Sequence, residues 1–216
     1  LPASSAASDV YKRQSKIYFK KDDKIFVMIE ISLNEDQKKD FQKNGFLIIE
    51  SFLDTTHFER LYERFQSLFN GNFETGIEPD EWNWKFESGP KDVTRQICNA
   101  WKSDNSIKEI VCNEFLGKAC AELMGWSGSR LLQDNVLWKP PGGKTLAYHQ
   151  DAAYDDWIIP QTMMTCWMPI DNVDKEKGTL EYVKGSHLWG LSPPKGQFHS
   201  PRAVSYTHLR AHETRE

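Results

Sequence analysis

A chain of 216 residues with 39% hydrophobic residues, 27% charged residues and a formal net charge of -4 has the length of one domain and enough apolar side chains to bury a core. That balance excludes a disordered chain, and the lack of a basic excess argues against a nucleic-acid partner. No apolar run approaches the about 20 residues needed to span a bilayer, and "GFLII" has only strand length.

The chain opens with "LPASSAASDVYKRQ" (residues 1–14) and closes with "VSYTHLRAHETRE" (residues 204–216). Neither has apolar periodicity. Both resemble peptides produced when sequencing-adaptor read-through is translated, and both are expected to be non-native; a pair of flexible tails is the alternative. Residues 15–203 then form a single domain. Setting the tail aside removes His208 and His212 from the candidate ligands. "SKIYFKKDDKIFV" reads either as native chain or as translated leader ahead of a start at Met28, and the natural protein is expected to continue past Ala203.

"SLNEDQKKDFQKNGFLIIESFL" begins with a helix signal. Ser32 and Glu35 have capping-box spacing, and Gly45 is placed to stop the helix. "FLIIE" follows as a short strand. A second helix starts near Asp54, with Phe58, Leu61, Phe65 and Leu68 on one apolar face directed to the core. "NGNFETGIEPDEWNWKFESGPKD" is rich in Gly, Pro and acids and reads as a long loop. Ser106 and Glu109 repeat the capping-box spacing and open a third helical region, with Ile107, Ile110 and Val111 on a face. It continues to Leu123 and stops at Gly125.

From Arg130 the pattern changes. "LLQDNVLW", "MTCWMPI" and "TLEYV" are short strand candidates, separated by the turn-rich "KPPGGK", "DNVDKEKG" and "KGSHLWG". Helices followed by short strands indicate an α+β fold, with helices packed on a mainly antiparallel sheet. The strands are compatible with a double-sheet jelly roll. Cys98, Cys112, Cys120 and Cys166 form no CxxC pair, so they are expected to be free, mostly buried thiols in a reducing compartment.

"LAYHQDAAYDDW" holds the candidate chemistry. In a strand, residues i and i+2 share a face, so His149 and Asp151 would project together while Gln150 points away. An imidazole and a carboxylate side by side supply two ligands to a divalent metal. Two histidines and one carboxylate on an octahedral face is the arrangement of non-haem Fe(II) oxygenases. A bare HxD is common by chance, and a surface turn with a capping Asp and a solvated His is the plain alternative. The context sharpens it: the pair follows "KPPGGK" and precedes a Trp-bearing strand and a G-S-H string.

Taken in order, "LNEDQKKDFQKNGFLIIESFL", "LLQDNVLWKPPGGKTLAYHQD" and "TCWMPIDNVDKEKGTLEYVKGSH" resemble the phytanoyl-CoA dioxygenase family of Fe(II)/2-oxoglutarate-dependent oxygenases, over about Leu33 to His199. The resemblance implies a double-stranded β-helix (jelly-roll, cupin-like) core with N-terminal helices packed on the sheet and the C-terminal part of the barrel missing. It implies Fe(II) as metal, with 2-oxoglutarate and O2 as co-substrates and ascorbate as an auxiliary reductant. His149 and Asp151 would be metal ligands. The carboxylate favours hydroxylation, because related halogenating enzymes lack it to make room for halide.

Trp167, Asn135 and Arg95 match family positions near the 2-oxoglutarate. Each has a plain alternative: core packing for Trp167, a solvent-facing strand amide for Asn135, a surface arginine for Arg95. Lys139, Pro140 and Pro141 read as a turn, and His187 as mainly structural. His199 lacks a strand setting, and the family's distal histidine and following arginine are expected beyond Ala203. Tyr154, Asp155, Asp156 and Trp157 would lie near the pocket mouth, where the acids disfavour an anionic substrate. The implied function is hydroxylation of an aliphatic C–H bond in a small-molecule or lipid-derived substrate, in a soluble intracellular protein with no implied protein partner. The alternative is a non-catalytic jelly-roll protein that holds a metal or small ligand.

Overall fold

The computed structural model describes residues 16–21, 24–29, 31–50, 52–82, 84, 89, 92–143 and 148–191. The end segments 1–14 and 204–216, with His199, His208 and His212, lie outside the described residues. Strands β1 (Lys16–Lys21) and β2 (Lys24–Ile29) pair antiparallel as a two-stranded ribbon, from Lys16 opposite Ile29 to Lys21 opposite Lys24.

Helix α1 (Glu35–Asn44) has a capping box, but at Asn34 and Gln37 instead of Ser32 and Glu35. Asn34 Oδ1 accepts from the Gln37 N–H at 2.8 Å, and Gln37 Oε1 accepts from the Asn34 N–H at 3.0 Å. Both pairs have the same spacing; the helix starts where the residue with the extended backbone is a strong N-cap, Asn34. At the other end Gly45 takes φ 83°, in the left-handed region, and its N–H bonds Phe41 O. A Cβ there would stand 2.3 Å from His187 Nδ1. The G-S-H string therefore docks on the C-terminus of α1. The Gly185 N–H donates to Asn44 O at 2.9 Å, and His187 Nε2 meets Gln42 O at 3.0 Å, covering carbonyls that the helix itself leaves open.

Helix α2 (Thr55–Phe69) is capped by Asp54, whose Oδ1 accepts from the His57 N–H at 2.9 Å. Leu61, Leu68 and Phe69 are buried, and Phe65 packs against them. Phe58 was expected on the same apolar face; it sits at the exposed end and does not enter the core. Helices α3 (Asn105–Val111) and α4 (Glu114–Met124) fill the third helical region. The cap of α3 is Asp104, two residues before the Ser106 that spacing favours. Gly125 ends α4 as expected. Lys38 on α1 forms an ion pair with Glu122 on α4.

Strands β3 (Glu81–Trp82), β4 (Arg95–Cys98) and β5 (Asn135–Trp138) form an antiparallel sheet in that order. Ile97 lies opposite Val136, and both are buried against Leu61, Leu68, Phe69, Ile107 and Ile110. The fold is thus α+β, helices on a small antiparallel sheet. The double-stranded β-helix is not among these ladders. Residues 46–50, 164–170 and 179–183 are strand candidates by composition but have no ladder among the described residues. Their β-propensity is a preference for a paired, half-buried surface, and no partner strand is described beside them. Phe46 and Tyr182, one from each of two such segments, stack on each other with ring centroids 5.1 Å apart. No helix among the described residues is long and apolar enough to cross a membrane.

Two polar clusters tie α2 to α3. Asp104 is fully buried. Its Oδ1 accepts from the N–H groups of Ser106 and Ile107, and its Oδ2 from Arg64 Nε at 2.5 Å. Nearer the start of α2, His57 lies between Asp54 (Nδ1 to Oδ1, 2.7 Å) and Glu109 (Nε2 to Oε1, 3.7 Å), while Arg60 Nη1 donates to Glu109 Oε2 at 3.0 Å. Glu109 holds the His57 pKa above its ordinary value, burial opposing, with Asp54 adding to the rise. His57 in turn holds Glu109 below its ordinary value.

Two outcomes follow for stability. Replacing Asp104 by Ala strands the Arg64 charge and uncaps α3, so urea unfolding should show a loss of about 3–5 kcal/mol. The His57 cluster sets a pH window. The raised histidine contributes fully below its unfolded value of 6.5 and loses that contribution as pH rises through its folded value. The depressed glutamate contributes fully above its unfolded value of 4.5 and loses it as pH falls through its folded value. The stability advantage over His57→Gln should therefore be fullest between the two unfolded values, 4.5 and 6.5, and shrink as pH rises through the folded value of His57. A difference that stays flat with pH, read from denaturant midpoints, would contradict this.

Candidate metal centre and its surroundings

The chain reaches the HxD pair from β5 through the Lys139–Pro141 turn. The Gly143 N–H closes on Pro140 O at 3.0 Å, and Lys139 Nζ reaches across to Gly178 O at 3.2 Å. Gly178 lies in the left-handed region at φ 80°, with the Lys139 side chain against its Cα. These residues shape turns, as the sequence indicates.

His149 and Asp151 do not lie on a strand. Asp151 opens a 3-10 turn, Asp151–Ala153, closed by the Tyr154 N–H donating to Asp151 O at 2.9 Å. Gln150 keeps extended torsions (φ -106°, ψ 120°), and that one residue is enough to turn its two neighbours to the same side. His149 Nε2 stands 3.0 Å from Asp151 Oδ1. The second carboxylate oxygen, Oδ2, accepts from Thr165 Oγ1 at 2.7 Å. The Tyr154 ring packs edge-on to the imidazole, centroids 5.9 Å apart. The imidazole is the main cause that holds the Asp151 carboxyl below its usual range; burial opposes it and Thr165 adds to it.

This donor pair suits a divalent metal. Nitrogen and oxygen donors about 2.1 Å from a metal, on neighbouring octahedral positions, stand about 3.0 Å apart. The observed separation matches that edge. Among the described residues, no group of three or more His, Cys, Asp or Glu is placed to hold a metal, so the pair supplies two donors. His187 is engaged at the end of α1 and takes no part.

The other candidates are dispersed. Arg95 is buried, with its guanidinium over the rings of Trp84 (3.7 Å) and Trp138 (4.3 Å). It is not a surface arginine, and its Nε is buried with no hydrogen-bond partner. Asn135 lies opposite Cys98 in the ladder, and Arg95 opposite Trp138. Strand alternation therefore puts Arg95 on the core face with Ile97, and Asn135 on the other face, where its Oδ1 accepts from Gln96 Nε2 at 2.9 Å. Trp167 is partly exposed, two residues after Thr165. Thus His149 and Asp151 are brought together, while Arg95 and Asn135 are not.

Sequence reasoning missed Thr165 and the bond from Tyr148 to Glu181. Thr165 carried one signal, its place in "TCW" beside Trp167. The Tyr148–Glu181 bond carried none. After the pair, Trp157 and Ile159 project from an exposed loop that also holds Asp155 and Asp156.

Comparison with known proteins bears on the same region. The chain is 27% identical over 154 residues to the 2-aminoethylphosphonate dioxygenase of Uncultured bacterium HF130_AEPn_1, covering 70% of this chain and 57% of that protein. It is 23% identical over 158 residues to the probable alpha-ketoglutarate-dependent hypophosphite dioxygenase of Stutzerimonas stutzeri, covering 70% and 53%. It is 21% identical over 169 residues to the peroxisomal phytanoyl-CoA dioxygenase of Bos taurus, covering 74% and 50%. The chain therefore spans little more than half the length of these relatives. No solved structure matches significantly. The family model for phytanoyl-CoA dioxygenase (PhyH) matches residues 41–212, a span that holds the HxD pair and runs into the segment set aside as non-native. With that match over most of its length, the chain belongs to the phytanoyl-CoA dioxygenase family.

Proposed function

We propose that the protein is an Fe(II)- and 2-oxoglutarate-dependent dioxygenase that hydroxylates an aliphatic C–H bond of a small-molecule or lipid-derived substrate. The observation that carries this is the 3.0 Å approach of His149 Nε2 to Asp151 Oδ1 inside the family-matched span. His149 and Asp151 are the ligands this chain offers. Iron with 2-oxoglutarate and O2 supplies the oxidising chemistry, and ascorbate serves to keep the metal reduced. Thr165 anchors the free oxygen of Asp151 and so fixes the carboxylate plane. Trp167, close in sequence to Thr165, is taken as a co-substrate contact. Asn135 and Arg95 stand on opposite faces of the sheet, so one of them at most joins it there; the buried Nε of Arg95 has an unused donor for that role. The domain is taken as residues 15–203 with a double-stranded β-helix core, within which most of the family match to residues 41–212 falls.

Substrate class is a finer reading. The named relatives include enzymes for 2-aminoethylphosphonate and hypophosphite and a phytanoyl-CoA dioxygenase. In this chain Asp155 and Asp156 follow the pair directly, in a loop with exposed Trp157 and Ile159. Carboxylates there repel an anionic group, whereas the apolar side chains favour a hydrocarbon body. A neutral or cationic substrate with apolar surface fits this loop better than a phosphonate.

A second reading is a non-catalytic family member that holds a metal or small ligand. The two-donor set among the described residues favours it.

Two measurements separate these readings. Calorimetric titration with Mn(II) should show binding that His149→Ala and Asp151→Ala abolish. Thr165→Val should weaken it about 10–100-fold, the usual cost of losing a group that orients a ligand. Succinate release from 2-oxoglutarate with Fe(II) should accompany binding in the wild type and vanish in His149→Ala. Metal binding without succinate supports the second reading. Succinate release that persists in His149→Ala would sink the proposal.

A further inference from the structure

Cys120 and Cys166 lie 46 residues apart in sequence, yet their Sγ atoms are 3.4 Å apart. All four cysteines are free thiols; Cys98 is buried, Cys112 and Cys166 are exposed and Cys120 is half-buried. The expectation of mostly buried thiols therefore holds for Cys98 alone. Cys120 belongs to helix α4, between the buried Ala119 and Ala121. Cys166 belongs to the segment without regular structure that supplies Thr165 to Asp151. A disulfide bond is about 2.05 Å long, so these sulfurs need to close by little more than about 1.3 Å. An exposed member beside a half-buried one gives a small oxidant access.

We propose that Cys120 and Cys166 form a redox modification site, in which a low-molecular-weight disulfide of the glutathione type converts the thiol pair to an intramolecular disulfide. The first step is attack of one thiolate on the small disulfide, giving a protein mixed disulfide and one released thiol. The second thiol then attacks the mixed disulfide at the protein sulfur and expels the second small thiol. Two protein thiols are oxidised by two electrons, one small disulfide is reduced to two thiols, and the two thiol protons end on those products. A hydrogen bond between the two sulfurs favours the thiolate at the one that accepts, which is then the attacking sulfur, with its donor as the resolving one. Closure would bind the Thr165–Trp167 segment to α4 one residue from the group that orients Asp151. The site makes no use of the proposed oxygenase activity and stands without it.

Incubation of the full chain with oxidised glutathione tests this directly. The free-thiol count should fall from four to two. Non-reducing peptide mapping should give tryptic peptides Ala119–Arg130 and Thr145–Lys175 joined, two hydrogens lighter than their sum. Cys112→Ser should keep the link and Cys120→Ser should lose it. Amide exchange across Thr165–Trp167 should slow about tenfold in the linked protein. Mixed disulfides that never resolve, or Cys166 joined to Cys98 or Cys112, would overturn the site. A link that leaves exchange unchanged would overturn its effect on the segment.

Discussion

The carboxylate of Asp104 is the constraint on which the helical half of the molecule rests. A buried anion is tolerable only with its charge and lone pairs matched. Arg64 supplies the charge from α2, and the first N–H groups of α3 fill the other oxygen. Arg64 also holds Asn72 O at 3.0 Å, so the same pair fixes the turn that leaves α2. With α2 and α3 held at that separation, Leu61, Leu68 and Phe69 meet Ile107 and Ile110. Asp134 does the equivalent at the sheet. It accepts from the N–H groups of Ala100 and Trp101, while its own carbonyl takes the Asn99 N–H. Burial pushes its carboxyl up, and the two amide donors pull against that. One aspartate thus fixes the helices to each other and the second fixes β5 to the chain that follows β4. Strand β5 then runs out through the Lys139–Pro141 turn towards His149.

Local signals located the helices well. The i, i+3, i+4 spacing of Leu61, Phe65 and Leu68 and the stops at Gly45 and Gly125 depend on contacts within a few residues, so sequence carries them. The starting residues were less legible. Ser32/Glu35 and Asn34/Gln37 have equal spacing, and only the backbone entering the helix decides between them. The same holds for Ser106 against Asp104, where the deciding partner is Arg64, forty residues earlier in the chain. Phe58 belongs to the right face by period but lies at the end of α2 that the core does not reach. Of the strand candidates past Arg130, Asn135–Trp138 alone has a ladder among the described residues, because a ladder depends on the partner as much as on the strand.

At the site, the identity of the pair was legible and its geometry was not. HxD spacing found His149 and Asp151, although they meet across one extended residue, Gln150, ahead of a 3-10 turn instead of along a strand. Thr165 lies fourteen residues further on and touches Asp151 only because the chain folds back, which no spacing rule encodes. Arg95 was half legible. Its charge suggested either a ligand contact or a solvated surface. The sheet register sets it opposite Trp138 and its guanidinium lies over Trp84 and Trp138, so the solvated alternative falls and packing with cation–π attraction holds the side chain in place. His187 was read as structural, and its seat against Gly45 explains why a glycine ends α1 at that position beyond ordinary capping.

The division of labour on Asp151 bears on what the pair could hold. One oxygen faces the imidazole and the other is taken by the Thr165 hydroxyl. A carboxylate held this way presents a single oxygen to a metal, since chelation through both would break the 2.7 Å bond to Thr165. Its lowered pKa keeps it anionic without the metal. Under the proposed role, a one-oxygen carboxylate beside one imidazole leaves more of the coordination sphere open than a chelating one. A hydroxylase that must admit both a co-substrate and dioxygen needs that opening. A structural metal site gains from filling its positions. The Thr165 contact therefore weighs towards turnover, from a residue that is neither a ligand nor part of the motif that drew attention to the site.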